Sequence, residues 1–154
     1  MLLSRYFVLC LAIAMTIAVG CKPSTRRNLP VEFVEGVVTL DSAPLDAASV
    51  QFIPKTEGAG IESAGGYTDA AGKFTLSSLN GDPGEGALPG EYNVFVSKTI
   101  SVPIPGAAHE EGDAPPEETK QITPAIYKDR NNPQFEATVV KGKNTFNFDL
   151  KSKP

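Results

Sequence analysis

Residues 65–76 read GGYTDAAGKFTL, and whether Asp69 opens a metal loop or a tight turn decides how this part of the chain folds. A calcium loop of the helix-loop-helix kind needs oxygen ligands at alternating positions and a later bidentate glutamate. After Asp69 come Ala70, Ala71 and Gly72, which is too few oxygens. Asp69 is instead suited to accept a hydrogen bond from backbone two residues on, and Gly72 to take the positive φ that closes a short loop. The segment is therefore predicted to be a hairpin between GGYT and KFTL, with Phe74 and Leu76 on one face.

Outward from this turn the dominant hydrophobic period is two. VEFVEGVVTL, residues 31–40, places Val34, Val38 and Leu40 on one face and Glu35 and Thr39 on the other, and SVQFIP, residues 49–54, turns Val50 and Phe52 inward. DSAPLD between them is turn chemistry, which predicts a hairpin. EYNVFVSK alternates Tyr92, Val94 and Val96 against Glu91, Asn93 and Ser97. Near the C-terminus, Phe135, Ala137 and Val139 share one face, Phe146, Phe148 and Leu150 share another, and Gly142–Lys143 signals a further hairpin. Seven short strands follow, and the fold class is all-β, a seven-stranded antiparallel β-sandwich. With about fifteen large side chains turned inward at roughly 1.5 to 3 kcal/mol each, burial offsets much of the ordering entropy without a covalent staple.

Composition agrees. The chain has 154 residues with 14 Gly, 13 Pro and no Trp, which favours turns over helices. Lys and Arg total 14 against 18 Asp and Glu, and removing a leader that holds Arg5 leaves 13 against 18. A mildly acidic chain lacks the basic footprint that nucleic acid requires. The two cysteines, Cys10 and Cys21, both lie near the start, so no disulfide framework holds the domain.

The first residues, MLLSRYFVLCLAIAMTIAVGC, carry one early cation at Arg5, an uncharged apolar stretch from Tyr6 to Val19 and then small residues, the parts of a secretory signal. The apolar stretch is short for the roughly 18 to 20 residues of a membrane span. AVGC resembles a bacterial lipobox, which implies cleavage after Gly20 and acylation of Cys21; Ala18 stands where the pattern prefers Leu. An uncleaved anchor, or an ordinary signal peptide leaving Cys21 as a free thiol, are the alternatives. The expected organisation is a lipoprotein signal peptide at 1–20, the acylated Cys21 with a polar tether at 21–30, and a β domain at 31–154 with a long loop at 99–134. Two or more acyl chains would hold the protein on the membrane, and nine tether residues extend about 30 Å.

The series VEGVVTL, APLDAASVQFIP, YTDAAGKFTL and LPGEYNVFVSK, with the ending from Phe135 to Leu150, resembles the carboxypeptidase regulatory-like domain of the transthyretin-like fold. Together with the lipobox it is similar to the small exported lipoproteins of planctomycete bacteria. Ser42 stands where that family often has a turn glycine, and Ala71 where a second acid is common.

Candidate chemistry is sparse. His109, Glu110, Glu111 and Asp113, followed by Glu117 and Glu118, could attract a cation, but glycine and prolines between them leave no fixed ligand spacing, and the expectation is a solvated, mobile segment with no bound metal. Ile122, Ile126 and Tyr127 are expected to pack the end of the loop back on the domain. His109 is the single histidine and no Gly-x-Ser-x-Gly turn occurs, so a Ser-His-Asp arrangement has little to work with. The hydroxyisourate hydrolases share the transthyretin-like fold but rely on several histidines and arginines and a C-terminal tail, whereas this chain ends KSKP. Tyr67 and Tyr92 read as core residues rather than a sugar platform, and GDPGEGALPG, residues 81–90, as a surface turn. The functional expectation is a non-catalytic exported lipoprotein without a cofactor, a structural or protein-interaction module at the cell envelope, with a hydrolase of the hydroxyisourate hydrolase type as the remote alternative. It would meet the membrane through the lipid on Cys21 and bind an envelope protein, on an exposed strand edge, or alternatively an envelope polysaccharide.

Overall fold

The alternating stretches become strands in the computed structural model, which describes residues 30–56, 60–79, 84–106 and 116–154. In chain order these are β1 (Val34–Leu40), β2 (Ala43–Pro44), β3 (Ser49–Pro54), β4 (Ala64–Tyr67), β5 (Lys73–Thr75), β6 (Ser77–Ser78), β7 (Gly90–Ser97), β8 (Thr99–Pro103), β9 (Glu117–Gln121), β10 (Phe135–Val139) and β11 (Asn144–Leu150). One 3-10 turn, Ala125–Lys128, is the helical element among the described residues. The first sheet sets β1 between β11 on one side and β2 and β5 on the other; the second runs β10-β7-β3-β4-β6; β8 and β9 form a separate ribbon. The protein is thus almost all β, built of several mainly antiparallel sheets with no closed barrel.

Three expectations about pairing are corrected. First, β1 and β11 pair in parallel through seven positions, from Val34↔Asn144 to Leu40↔Leu150, so the sheets are not wholly antiparallel. Alternation reports which face a residue occupies and is blind to strand direction. Second, the 31–40 and 49–54 stretches do not form a hairpin with each other. Asp41 and Ser42 both have positive φ, 50° and 68°, and make a tight turn that returns only through β2. The chain then crosses to the second sheet, where β3 lies between β4 and β7. Thr68 fastens this crossing: its buried hydroxyl donates to Leu45 O at 2.6 Å and accepts from Ala48 N at 2.8 Å.

Third, β10 and β11 also belong to different sheets: β10 pairs with β7. The buried Asn144 side chain closes the turn between them, accepting from Val140 N at 3.0 Å and donating to Val140 O at 2.8 Å and Gly142 O at 2.9 Å. A side-chain amide here does for the backbone what a partner strand would otherwise do.

The two larger sheets share one hydrophobic core. Val34, Val38, Phe74, Phe148 and Leu150 come from the first, and Val50, Phe52, Tyr92, Val94, Val96 and Val139 from the second. Phe148 lies at the centre of an aromatic network, 5.1 Å from Phe135, 6.1 Å from Phe74 and 6.2 Å from Phe52 between ring centroids. Tyr92 is fully buried, and its hydroxyl donates to Leu88 O, four residues upstream, at 2.7 Å. That hydrogen bond anchors the entry to β7, as in the tyrosine corners of other two-layer β folds. Burial alone pushes the Tyr92 phenol up to about 12.

The stretches expected to be loops are partly built. Glu117–Gln121 is β9, paired with β8 through five positions from Thr99↔Gln121 to Pro103↔Glu117, instead of part of a mobile segment. Beyond the ribbon, Tyr127 stacks on Phe135 at 5.5 Å and its hydroxyl accepts from Lys151 N at 2.8 Å, so this stretch does pack back on the core, with Ile126 against the same cluster. Within 81–90, Ala87 and Leu88 are buried and Ala87 pairs with Glu32, so the second half of that stretch is not a surface turn.

Candidate binding surfaces

The quoted stretch forms the seam where the chain passes from one sheet to the other. Asp69 Oδ1 accepts from Ala71 N at 2.8 Å and Lys73 N at 2.9 Å, while Gly72 N donates to Asp69 O at 2.9 Å. Gly72 has φ 74°, and a Cβ there would stand 2.5 Å from Val38 O. The turn chemistry is as the sequence predicts, but the hairpin is not: β4 pairs with β3 and β6, and β5 pairs with β1. Gly66 lets the two layers approach, because a Cβ on it would lie 2.2 Å from Thr75 O.

Tyr67 is the larger surprise. It is 75% exposed rather than part of the core. Within β4 the inward positions are Ala64 and Gly66, which places Tyr67 on the outer side with Gly65. Two open hollows flank the ring. One, about 450 Å³, is lined by Glu35, Val37, Asp69, Lys73 and Thr145; the other, about 490 Å³, by Ser49, Gln51, Gly65, Gly66 and Ser77. Tyr67 and Thr75 line both. Glu35 is paired with Lys143 at 2.8 Å, and the Asp69 carboxylate is committed to its turn.

The second surface is the outer edge of β11. Val34 O accepts from Leu76 N and Val38 O from Leu45 N, so the even-numbered backbone groups of β1 face β5 and β2, and the odd-numbered ones face β11. Backbone direction alternates along a ladder. Even-numbered residues of β11 therefore bond to β1, in keeping with the bond from Asp41 N to Leu150 O at 2.8 Å. Thr145, Asn147 and Asp149 turn their backbone groups outward, and their side chains are exposed. No other strand among the described residues pairs on that side. The end of the edge is pinned. Asp149 accepts from Thr39 Oγ1 at 2.8 Å and pairs with Lys151, and these hydrogen bonds, Lys151's first, hold its carboxyl below the usual carboxylate value. Lys151 is raised by the same bond. Asp41 is lowered by its hydrogen bonds with Ser152.

Of the residues singled out in the sequence, Gly20, Cys21, His109, Glu110, Glu111 and Asp113 lie outside the described residues. Glu117 and Glu118 stand exposed on the β8–β9 ribbon. Among the described residues no group of three or more His, Cys, Asp or Glu could hold a metal ion, and no helix is long and apolar enough to cross a membrane. Tyr92 is buried, as expected, and offers no platform. Sequence reasoning missed the outward Tyr67, because Gly65 and Gly66 before it carry no side chains to show which face is inward. It could not find the free edge of β11, because pairing partners leave no local trace.

No family model matches the chain, and no curated protein matches it. Among solved structures, it is similar to a DUF3823 family protein from Parabacteroides merdae, with 14% identity, a TM-score of 0.36 and 80% of this chain covered. It is also similar to a 9R-lipoxygenase from Cyanothece, with 14% identity, a TM-score of 0.38 and 96% of this chain covered. The chain spans 47% of the first protein and 20% of the second. At that depth of likeness neither relative speaks for what this chain does.

Proposed function

We propose that the chain is an exported lipoprotein, cut after Gly20 and anchored through lipid on Cys21, whose β domain serves at the cell envelope as a non-catalytic interaction module. In this reading the domain is a β-sandwich of the transthyretin-like, carboxypeptidase regulatory-like kind. The motif series from Val34 to Lys98 and the face-to-face packing of two sheets support that assignment. Protein partners dock on β11. The observation that carries this is an uninterrupted seven-residue edge strand, Asn144–Leu150, paired on one side among the described residues, with no proline and no lysine within it. Proline, inward charge and bulges are the usual means of blunting such an edge, and an extended segment of a partner can add to one that lacks them.

The test is a photo-crosslinking residue at Thr145 in intact cells. Capture of a discrete neighbouring protein is expected, lost when Asn147→Pro removes the outward N–H at mid-strand. Capture that survives Asn147→Pro in a protein with an unchanged melting temperature contradicts the edge reading. A second reading, a binding module for an envelope polysaccharide, is favoured by one observation: the exposed ring of Tyr67 between two open hollows.

A further inference from the structure

The two hollows beside Tyr67 lie one on each side of its ring and together make a two-part trough. They share Tyr67 and Thr75, and both are open to solvent. Part of the floor beside the ring is backbone, because Gly65, on the outer side with Tyr67, has no side chain to fill it. Hydroxyls and an amide stand along the walls: Ser49, Gln51 and Ser77 on one side, Thr145 on the other. The carboxylates that reach the trough are already engaged, Glu35 by Lys143 and Asp69 by its own turn.

An exposed aromatic face needs an apolar counterpart that is flat, and short hydroxyl and amide walls need donors and acceptors at closely spaced positions. A pyranose offers both, with C–H bonds on one face and hydroxyls around its rim. Two carboxylates, Glu35 and Asp69, against two lysines, Lys73 and Lys143, leave no net field for a highly charged polymer. Each hollow has the volume of a small-molecule site, enough for at least one sugar unit. A single blind pocket would receive a chain end, whereas here a hollow lies on each side of the ring.

We propose that the trough binds the interior of a linear, uncharged glycan, with one sugar ring stacked on Tyr67 and the flanking units lying in the two hollows. The inference rests on the polysaccharide reading and adds to it the charge of the chain and the part of it that is recognised.

The experiment uses the full-length lipoprotein in detergent. Retention is measured on insoluble cellulose, chitin, xylan and mannan, and affinity on soluble oligosaccharides of one to six units of whichever polymers retain it. Retention on at least one polymer is expected, with affinity rising about tenfold or more from one unit to three and unchanged when the reducing end is blocked. Tyr67→Ala weakens binding by about tenfold or more, whereas Tyr67→Phe keeps the ring face and most of the affinity. Lys120→Ala on the β8–β9 ribbon, which lines neither hollow, leaves binding as it was. Full affinity already with one unit, or loss on blocking the chain end, overturns the interior-chain inference while the polysaccharide reading stands. No retention on any of the four polymers, or unaltered binding by Tyr67→Ala, overturns both.

Discussion

Replacing Tyr92 by Phe removes one oxygen from a fully buried aromatic residue and leaves its ring in place. The ring lies 5.7 Å from Phe52, and its contacts survive the change. What is lost is the 2.7 Å hydrogen bond to Leu88 O. Leu88 is itself buried, so its carbonyl is left without that donor and without ready access to water. Stranding a buried acceptor costs about 1 to 3 kcal/mol, which for a domain of this size is a fall in melting temperature of roughly 4 to 12 °C. The substitution also alters the alkaline limb. The phenol ionises near 10.0 in an unfolded chain and at about 12 in the folded one, because burial disfavours the phenolate. The unfolded state therefore sheds its proton first, and stability that is complete below pH 10 drains away as pH rises towards 12. Melting followed by circular dichroism between pH 7 and 11.5 should show a lower but flatter profile for Tyr92→Phe. A variant that melts within about 1 °C of the parent at pH 7, or declines as steeply in alkali, refutes the reasoning.

Other substitutions probe the packing and the turns. Phe148→Ala opens a cavity among Phe52, Phe74, Phe135 and Phe146 and should lower unfolding free energy in urea by about 3 to 5 kcal/mol; a loss below about 1 kcal/mol would mean the network is not the core's centre. Gly36→Ala would place a Cβ 1.8 Å from Phe146 O and 2.7 Å from the Phe74 ring, so β1 and β11 must separate. The expected loss is about 1 to 3 kcal/mol or more, read by the same titration, and a neutral result would contradict the parallel pairing. Ser42→Gly should raise stability by about 0.5 to 1 kcal/mol, because Ser42 holds φ 68° where glycine carries no Cβ penalty; destabilisation would show that the turn is not left-handed there.

What the sequence reveals is which face a residue occupies. Val50 and Phe52, Phe74 and Leu76, and Tyr92, Val94 and Val96 are all buried as their alternation predicts, since a half-buried strand must repeat every second residue. Partnership is another matter. DSAPLD does reverse the chain, through Asp41 and Ser42, yet the returning strand is only Ala43–Pro44 before the chain changes layer. Likewise Gly142–Lys143 lies in a turn, but Asn144 closes that turn across the layers rather than within a hairpin. Turn chemistry is local, whereas the choice of sheet depends on the far-off strand that wins, as when β1 takes β11 from the other end of the chain. Tyr67 shows the reverse case. One aromatic after two glycines satisfies the alternation in either sense, and only the position of Ala64 fixes which side is inside. The acidic composition of 117–121 argued for a solvated segment, but it did not prevent pairing with Thr99–Pro103.

The proposed function depends on the domain being displayed from a membrane by lipid, and the most direct measurement is the intact mass of the mature protein purified from the membrane fraction. The account predicts a chain that begins at Cys21 and carries acyl groups on it, with Cys21→Ser shifting the protein out of that fraction. A chain that begins elsewhere, or that begins at Cys21 with an unmodified thiol, contradicts it.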